Sequence, residues 1–502
     1  MAGPRLGAPP ATPVATGRIL ATLVLAVVAF QLASSMVTPA LPDIATSLSA
    51  PVAEVARSQD LFFLVNGVAG VVLARLSDHL GRRRVLLGTL ALLCAGAVLA
   101  AVTPGVPLLI AGRILQGAAG ATFPLTYVLL RETMPPARFG TALGLITAIN
   151  GGVGGVDGLV GGLLSDHLGF RWIFVAIVVV AVAAMVSTAR VLPEAPARTT
   201  GRMDWRGAAF LSAALVCVNL ALSQGSAHGW SDVRPLALLA GGLLLLLCFR
   251  QAEKRRAHPL IAVEHLRTRQ VWPLITTTVL TLTGVFAALN FTIVLLSQDR
   301  HTGYGMSATL SSLLFLTPPA AIGLLAAPLT GRLASRRGWL LPLRAGLLLC
   351  AAVLAVAACF PQNRWVMLAA VCGMGVCYNG LALTTLNGLG VIQSPKESPG
   401  ALPGLNGSCF GIGASVGIAL AGPLVGSGTL TGYRNALWLA VGISLLALVA
   451  SLLIAANEPR ATGGRPEAPA DKAPAADESR AAPDGSRVAA DESRAEGEPG
   501  RA

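Results

Sequence analysis

Charged residues are scarce in this sequence. Asp, Glu, Lys and Arg together account for 12% of its 502 residues, about half of the ~25% that is usual in soluble globular domains. Hydrophobic residues account for 54%, and mean hydropathy is +0.68. Because the shortage of charge extends along most of the chain, it excludes a soluble domain with one anchor. It predicts an all-α polytopic membrane protein instead.

Paired cysteines and metal-binding spacings are also missing. The eight cysteines fall in or at the edge of apolar spans, so we expect free, buried thiols rather than disulfide bonds. Cys372 and Cys377 have the wrong spacing for a zinc site, and no histidine stands nearby. No nucleotide-binding or hydrolytic motif is visible. We therefore predict a protein that is not an enzyme and that binds no metal and no cofactor.

What the sequence has is a succession of apolar spans. About fourteen spans of roughly 20 residues can be marked off between residues 18 and 455, each long enough to cross a bilayer. The first is too long for the core of a signal peptide, so we expect it to be retained as a membrane helix. An even number of spans places both termini on the same side of the membrane.

The basic residues indicate which side that is. If the N-terminus is cytoplasmic, the even-numbered loops hold most of the basic residues, including the clusters at 82–84 and 254–256. The opposite loops hold about a third as many, which is the bias of the positive-inside rule. We predict a multi-pass protein of a bacterial inner membrane with both termini in the cytoplasm. These loops also explain the net charge of +13 without a nucleic-acid partner.

Two loops share a motif. The sequence reads "ARLSDHLGRRRVLL" from Ala74 to Leu87 and "TGRLASRRGWLL" from Thr330 to Leu341. Each copy ends an even-numbered span and enters an odd-numbered one, and such a weak internal repeat is typical of a transporter built from two related halves. We predict that the repeat forms a gating loop through Asp78, Gly81, Arg82, Arg83, Gly331, Arg332 and Gly338. The alternative is that the arginines only fix topology.

These motifs resemble the major facilitator superfamily, and specifically its fourteen-helix drug–proton antiporter branch. The first loop matches that family's pattern except at Ala74 and His79. The fourth span carries the family's Arg-x-x-Gln-Gly pattern at Arg113, Gln116 and Gly117. The first span ends "PALPDI", like the family's Ala-Leu-Pro ending. Residues 202–230, followed by "HPLIAVEHLRTRQVW", resemble the segment of the two inserted helices in the fourteen-helix branch. The likeness covers about residues 18–456.

The resemblance implies a domain organisation. Residues 1–17 form a cytoplasmic segment, 18–190 a six-helix bundle, 191–271 two inserted helices with linkers, and 272–456 a second six-helix bundle. The tail, 457–502, is rich in Ala, Pro, Glu and Arg and has no aromatic residue, so we expect it to be disordered in the cytoplasm.

Two positions depart from the antiporter pattern. Many members of the branch have an aspartate in the first helix where this chain has Ala33. The fifth helix usually carries a Gly-Pro pair, and here the pair is replaced by Asp157 and Gly158. The glycines of this helix, Gly158, Gly161 and Gly162, still predict close helix packing.

Asp157 and Arg113 are the charges placed deepest in their spans. Counted from the outer ends, Arg113 lies ~10 Å deep and Asp157 ~12 Å deep, at ~1.5 Å per residue. Ionisable residues inside a membrane usually face a cavity or a partner. We predict an Arg113–Asp157 ion pair that serves proton coupling and transport, with a purely structural pair or a lone, water-facing Asp157 as alternatives.

Polar residues within the spans could line a substrate path: Gln31, Asn66, Asn150, Asn290 and Asn379. By resemblance, the function is secondary active export of a small hydrophobic or cationic compound, a drug or antibiotic, in exchange for protons. The missing proline keeps open proton-coupled uptake of a small metabolite. A non-transporting membrane sensor or scaffold is a third possibility.

Overall fold

The computed structural model describes residues 13–135, 154–193, 204–229, 231–254, 271–393 and 401–455, with a few single residues between these ranges. In this part of the chain, thirteen helices are long and apolar enough to cross a membrane. A further helix, Gly154–Leu168, lies between the fourth and the fifth of them, and no described residue is in a strand. The predicted all-α membrane fold is confirmed. The predicted tail, 457–502, lies outside the described residues, as does most of the segment 1–17.

We number these fourteen helices in chain order. They are α1 (Thr16–Ser47), α2 (Val52–Leu80), α3 (Arg82–Ala101), α4 (Val106–Thr133), α5 (Gly154–Leu168), α6 (Arg171–Val191), α7 (Trp205–Gly225), α8 (Val233–Gln251), α9 (Val271–Gln298), α10 (Ala308–Arg337), α11 (Leu340–Cys359), α12 (Arg364–Gly390), α13 (Leu405–Gly426) and α14 (Leu430–Leu452). We call α1–α6 the N-terminal half and α9–α14 the C-terminal half.

The two repeated loops each contain a glycine with nearly the same backbone conformation. Gly81 ends α2 with φ 93°, and Gly338 ends α10 with φ 89°. Glycine adopts such positive φ values without the penalty that a Cβ atom brings. The two copies of the motif therefore turn the chain in the same way at equivalent positions.

The second helix is longer than its hydropathy indicates. The apolar pattern places the span at 60–76, but α2 begins at Val52 and ends at Leu80. Asp60 therefore lies eight residues inside the helix, and its side chain is buried. The polar residues of the first two turns hid the start of the helix.

Two helix pairs make the most extensive contacts between the halves. Helix α2 packs along α13, and α5 packs against α10. Within the halves, α3 packs against α6, and α11 against α14. The inserted helices α7 and α8 pack on each other, and α7 also contacts α2 and α13.

The halves are in close contact at the end of the molecule that carries Val52 and Gly426. A methyl group on Gly162 of α5 would stand 2.7 Å from the carbonyl oxygen of Ala308 in α10, so only glycine allows this approach. Asp166 of α5 accepts hydrogen bonds from the backbone N–H groups of Ala308 and Thr309, at 3.2 and 2.8 Å. This end is therefore closed between α5 and α10.

Helices of the C-terminal half contain π-helical turns. They occupy Leu282–Phe286 and Ala288–Thr292 in α9, Ser312–Leu316 in α10, and Gly375–Leu383 in α12. Such turns are rare in α-helices and are frequent at functional sites. The turns of α9 and α12 lie near the middle of their helices, and the turn of α10 lies near its start, where it packs against α5.

Candidate functional site

A small central cavity lies between the halves. Its volume is about 60 Å³, enough for a few water molecules. The N-terminal half contributes Gln31, Ser34, Ser35, Thr38 and Gly155, and the C-terminal half contributes Phe286, Leu289, Asn290, Leu316, Pro319, Ala320, Tyr378, Asn379, Leu383 and Phe410. None of these fifteen lining residues is charged.

The π-helical turns shape the cavity wall. Seven of its ten residues from the C-terminal half lie on these turns: Phe286, Leu289, Asn290, Leu316, Tyr378, Asn379 and Leu383. A π turn inserts an extra residue into the helix and rotates the side chains that follow. The turns therefore set which side chains face the cavity.

Tyr378 presents a hydroxyl group with no partner. Its side chain is 2% exposed, and its Oη makes no hydrogen bond to any residue that the structure describes. A buried polar group left in this state costs about 1–3 kcal/mol. A molecule in the cavity that bonds to the hydroxyl would recover this cost.

Two asparagines on the same wall are half-satisfied. Asn290 donates to the carbonyl oxygen of Phe286 at 3.2 Å, and Asn379 donates to that of Pro319 at 2.9 Å. Neither amide oxygen accepts a hydrogen bond from a described residue. Each asparagine therefore has a free acceptor, on the same cavity wall that contains Tyr378.

The structure separates the predicted path residues. Gln31, Asn290 and Asn379 line the cavity. Asn66 does not line it, because its side chain packs against Gly120 of α4. Asn150 lies outside the described residues.

Asp157 stands just behind the cavity wall. Its side chain is 2% exposed. One carboxylate oxygen accepts a hydrogen bond from the Ser35 hydroxyl, and the other accepts from the N–H of Gly158 at 2.8 Å. Because Ser35 lines the cavity, a single hydroxyl separates this carboxylate from it.

Arg113 does not pair with Asp157, so the predicted ion pair is wrong. The fully buried guanidinium donates to the carbonyl oxygen of Ala33 at 2.9 Å and to the Gln59 side chain at 2.6 Å. It also donates to Gln116, and it lies 4.0 Å from the centre of the Phe62 ring. Although the depths of the two charges match, α1 lies against both α4 and α5 and stands between them.

The other family positions in α4 and α5 serve packing. A methyl group on Gly117 would stand 2.6 Å from the carbonyl oxygen of Phe62 in α2. One on Gly161 would overlap the carbonyl oxygen of Met36 in α1, and one on Gly158 would meet the Leu316 side chain at 3.0 Å. These glycines bring α2 against α4, α1 against α5, and α5 against α10.

The first repeated loop carries an ion-pair network. Asp78 bonds to Arg75 at 3.0 Å and to Arg82 at 3.3 Å. Arg82 also pairs with Glu132 at the end of α4, and Arg83 donates to the carbonyl oxygen of Ala189 in α6. These contacts join α2, α3, α4 and α6, all within the N-terminal half. In the second loop, Gly331 and Arg332 lie in the last turns of α10, before Gly338.

Sequence reasoning missed a second buried carboxylate. Asp60 of α2 accepts hydrogen bonds from Asn219 of α7 at 2.9 Å and from Ser415 of α13 at 2.6 Å. The signal was present in the sequence, because an acid followed directly by an apolar run can lie inside a helix that begins with polar residues.

Comparison with known proteins gives consistent matches over this architecture. The family model of the Major Facilitator Superfamily matches residues 23–418. The chain is 37% identical over 456 residues to the uridine/deoxyuridine transporter of Lactococcus lactis subsp. cremoris (strain MG1363). This alignment covers 88% of this chain and 95% of that protein. It is 31% identical over 423 residues to the tetracenomycin C resistance and export protein of Streptomyces glaucescens, covering 81% and 76%.

Solved structures show the same fold at low identity. The POT family transporter PepTSo superimposes with a TM-score of 0.64 at 16% identity, over 89% of this chain and 98% of that one. The human organic anion transporter MFSD10 gives 0.60 at 16% identity, over 88% and 100%.

Proposed function

The chain belongs to the major facilitator superfamily, and from this premise we propose that it carries an uncharged, polar molecule of the nucleoside class through the central cavity. The family establishes a multi-pass membrane transporter of small molecules. The substrate class, the coupling ion and the direction are our proposal. The orientation given by the positive-inside rule places the closed end of the structure outside the cell.

The main support for this substrate class is that the cavity lining is uncharged and offers hydrogen-bonding groups. Tyr378 offers a donor, and Asn290 and Asn379 offer acceptors within one wall. A charged ligand would be desolvated there without a counter-charge in the lining, which is costly. The sugar hydroxyls and the base edge of a nucleoside present both donors and acceptors. The similarity to a uridine/deoxyuridine transporter supports this class.

Aromatic rings complete the fit. The ring centroids of Phe286 and Phe410, both in the cavity wall, are 4.9 Å apart. A flat base could pack against such rings while its edge bonds to the amides. At about 60 Å³ the cavity must widen to admit a nucleoside, so we propose that the halves part when substrate enters.

We propose that Asp157 carries the coupled proton. Of the two buried carboxylates described above, it is the one that accepts a hydrogen bond from a residue of the cavity lining, Ser35. Buried carboxylates near the midplane are typical proton-relay groups in transporters. Because α5 lacks the Gly-Pro pair of the antiporter pattern, uptake together with protons is favoured over exchange.

Transport by purified protein in liposomes tests this proposal. Liposomes preloaded with unlabelled uridine should take up labelled uridine by counterflow. Acidifying the outside of empty proteoliposomes should then drive uphill uridine accumulation, and a protonophore should abolish it. Protein-free liposomes are the control. Absence of counterflow with uridine, deoxyuridine and cytidine would contradict the nucleoside class.

Proton-coupled export of a hydrophobic or cationic compound is the second candidate. Phe63, Phe286 and Phe410 form an aromatic cluster at the cavity, with centroid distances from 4.9 to 6.2 Å. The similarity to a tetracenomycin C export protein supports this reading. Export by exchange predicts that substrate entry releases protons, whereas symport predicts that protons enter with it. A sensor or scaffold would show neither movement.

A further inference from the structure

The inserted helix α7 reaches the contact between the two halves. Its Asn219 side chain is 2% exposed. The amide nitrogen lies 2.9 Å from Asp60 of α2 and 2.7 Å from Ser415 of α13. The Ser415 hydroxyl also donates to the same oxygen of Asp60, at 2.6 Å. We call Asp60, Asn219 and Ser415 the seam triad.

The triad sits where the halves must separate. Helices α2 and α13 are packed backbone to backbone, since a methyl group on Gly67 would stand 2.9 Å from the nitrogen of Ile412. Nearer the closed end, Ala53 faces Gly426 across the same contact. Alternating access requires this contact to open at one end. When α2 leaves α13, Asp60 loses the Ser415 hydroxyl.

Helix α2 presents two faces near Asp60. Gln59 and Phe62 contact Arg113 within the N-terminal half. Asp60 and Phe63 face the C-terminal half, where Phe63 meets Phe286 and Phe410. Asp60, a member of the triad, and Phe63, which packs on two rings of the cavity wall, are therefore close neighbours on the same helix.

A helix that only filled the space beside the bundle would not need a buried amide at this point. Side chains that hydrogen-bond across helices inside a membrane stabilise their association, and a buried acid there usually has a function. Asn219 can bond to Asp60 and Ser415 at the same time only while α2 and α13 are together, because these two residues lie on the two helices.

We propose that α7 takes part in opening and closing the end of the molecule that carries Val52. In this proposal Asn219 is a positioning residue that holds Asp60 and Ser415 together while that end is closed. Removal of the Asn219 amide weakens that state relative to the state open at this end. The inference rests on alternating access by the proposed transporter, and it does not depend on the substrate or on proton coupling.

The test measures how often the Val52 end opens. Cysteine is introduced at Ala53, which faces Gly426, in a background in which the exposed Cys359 is replaced by serine. The rate of labelling by a membrane-impermeant maleimide is then compared among Asn219→Leu, Ser415→Ala and two controls. In Ser212→Ala and Ser444→Ala, the lost hydroxyl bonds only within its own helix, to Ala208 and Ala440 at 2.7 Å.

We expect labelling to rise about fivefold in Asn219→Leu, the effect of one net hydrogen bond. A smaller rise is expected in Ser415→Ala and none in the controls. Unchanged labelling in Asn219→Leu overturns the inference, as does an equal rise in the controls. If Asn219→Leu is not recovered as a monodisperse protein, Asn219→Ser replaces it with the same expectation. A failure to transport uridine would leave these labelling rates untouched, so the two proposals fail separately.

Discussion

Arg113 and Asp157 approach the same short stretch of α1 without touching each other. Arg113 donates to the carbonyl oxygen of Ala33 at 2.9 Å, and Asp157 accepts from the hydroxyl of Ser35. Between them, Gln59 donates to the carbonyl oxygen of Ser34 at 2.8 Å. Residues 33–35 therefore separate the buried cation from the buried carboxylate, and each charge depends on neutral partners.

The separation predicts that the two charges contribute independently to stability. Arg113→Met should destabilise the protein by about 2–4 kcal/mol, because it removes a buried hydrogen-bonded group and leaves Gln59 and Gln116 without their donor. Asp157→Asn should change stability little. In a double-mutant cycle measured by unfolding in detergent, the interaction energy should be below about 0.5 kcal/mol. An interaction energy above about 1 kcal/mol would show that the Arg113 and Asp157 side chains interact directly, and it would contradict this separation.

The unpartnered hydroxyl of Tyr378 predicts an effect on substrate without an effect on folding. Tyr378→Phe should raise the KM for uridine about five- to tenfold, the value of one hydrogen bond. Its melting temperature should stay the same or rise, because no protein hydrogen bond is lost. Tyr433→Phe is the control, because the Tyr433 hydroxyl donates to Asp299 at 3.1 Å and neither residue lines the cavity. It should leave KM unchanged. Equal KM values for Tyr378→Phe and the parent protein would remove Tyr378 from the substrate site.

The close approach at Gly162 predicts that a larger residue there prevents α5 and α10 from closing against each other. Gly162→Ala places a methyl group 2.7 Å from the carbonyl oxygen of Ala308, so α5 and α10 must move apart at that end. We expect uridine transport to fall at least about tenfold. Gly442→Ala is the control: no atom lies within 4 Å of the position that its methyl group would take, and alanine favours helix by about 1 kcal/mol. Normal transport by Gly162→Ala would show that this contact is not part of the cycle.

The loop network predicts a rate effect. Asp78→Asn removes the acceptor for Arg75 and weakens that for Arg82. Because this loop is remote from the cavity, kcat for uridine should fall several-fold while KM stays within about twofold. Initial rates in proteoliposomes measure both. An unchanged kcat would leave the arginines with the topological role alone.

The sequence was sufficient for the fold because the apolar spans and the repeated glycine turns are local signals. Gly81 and Gly338 could be placed from their motifs, and both adopt the positive φ expected of a tight turn. The alignment of Arg113 with Asp157 failed because depth along a helix says nothing about which helix lies between. Sequence adjacency of α4 and α5 did not make them neighbours.

The seam triad could not be predicted for a different reason. Its members are distant in the chain: Asp60 and Asn219 are 159 residues apart, and Asp60 and Ser415 are 355 apart. No pattern within one sequence relates such positions. The cavity wall was predicted in part, since amides inside apolar spans are conspicuous. Tyr378 was not, because a tyrosine in a membrane helix is also typical of packing or of the interface.

The most direct measurement of the central claim is proton-driven uridine uptake by Asp157→Asn in proteoliposomes. Asn keeps the shape of the side chain and can still accept from Ser35, but it cannot carry a proton. We predict counterflow within about twofold of the parent protein and no uphill accumulation when the outside is acidified. Asp43→Asn is the control, because that carboxylate bonds to Ser165 at 2.5 Å near the end of α1 and does not line the cavity. It should retain uphill uptake. Uphill accumulation by Asp157→Asn at the parent rate would contradict the account, because the proton would then travel on another group.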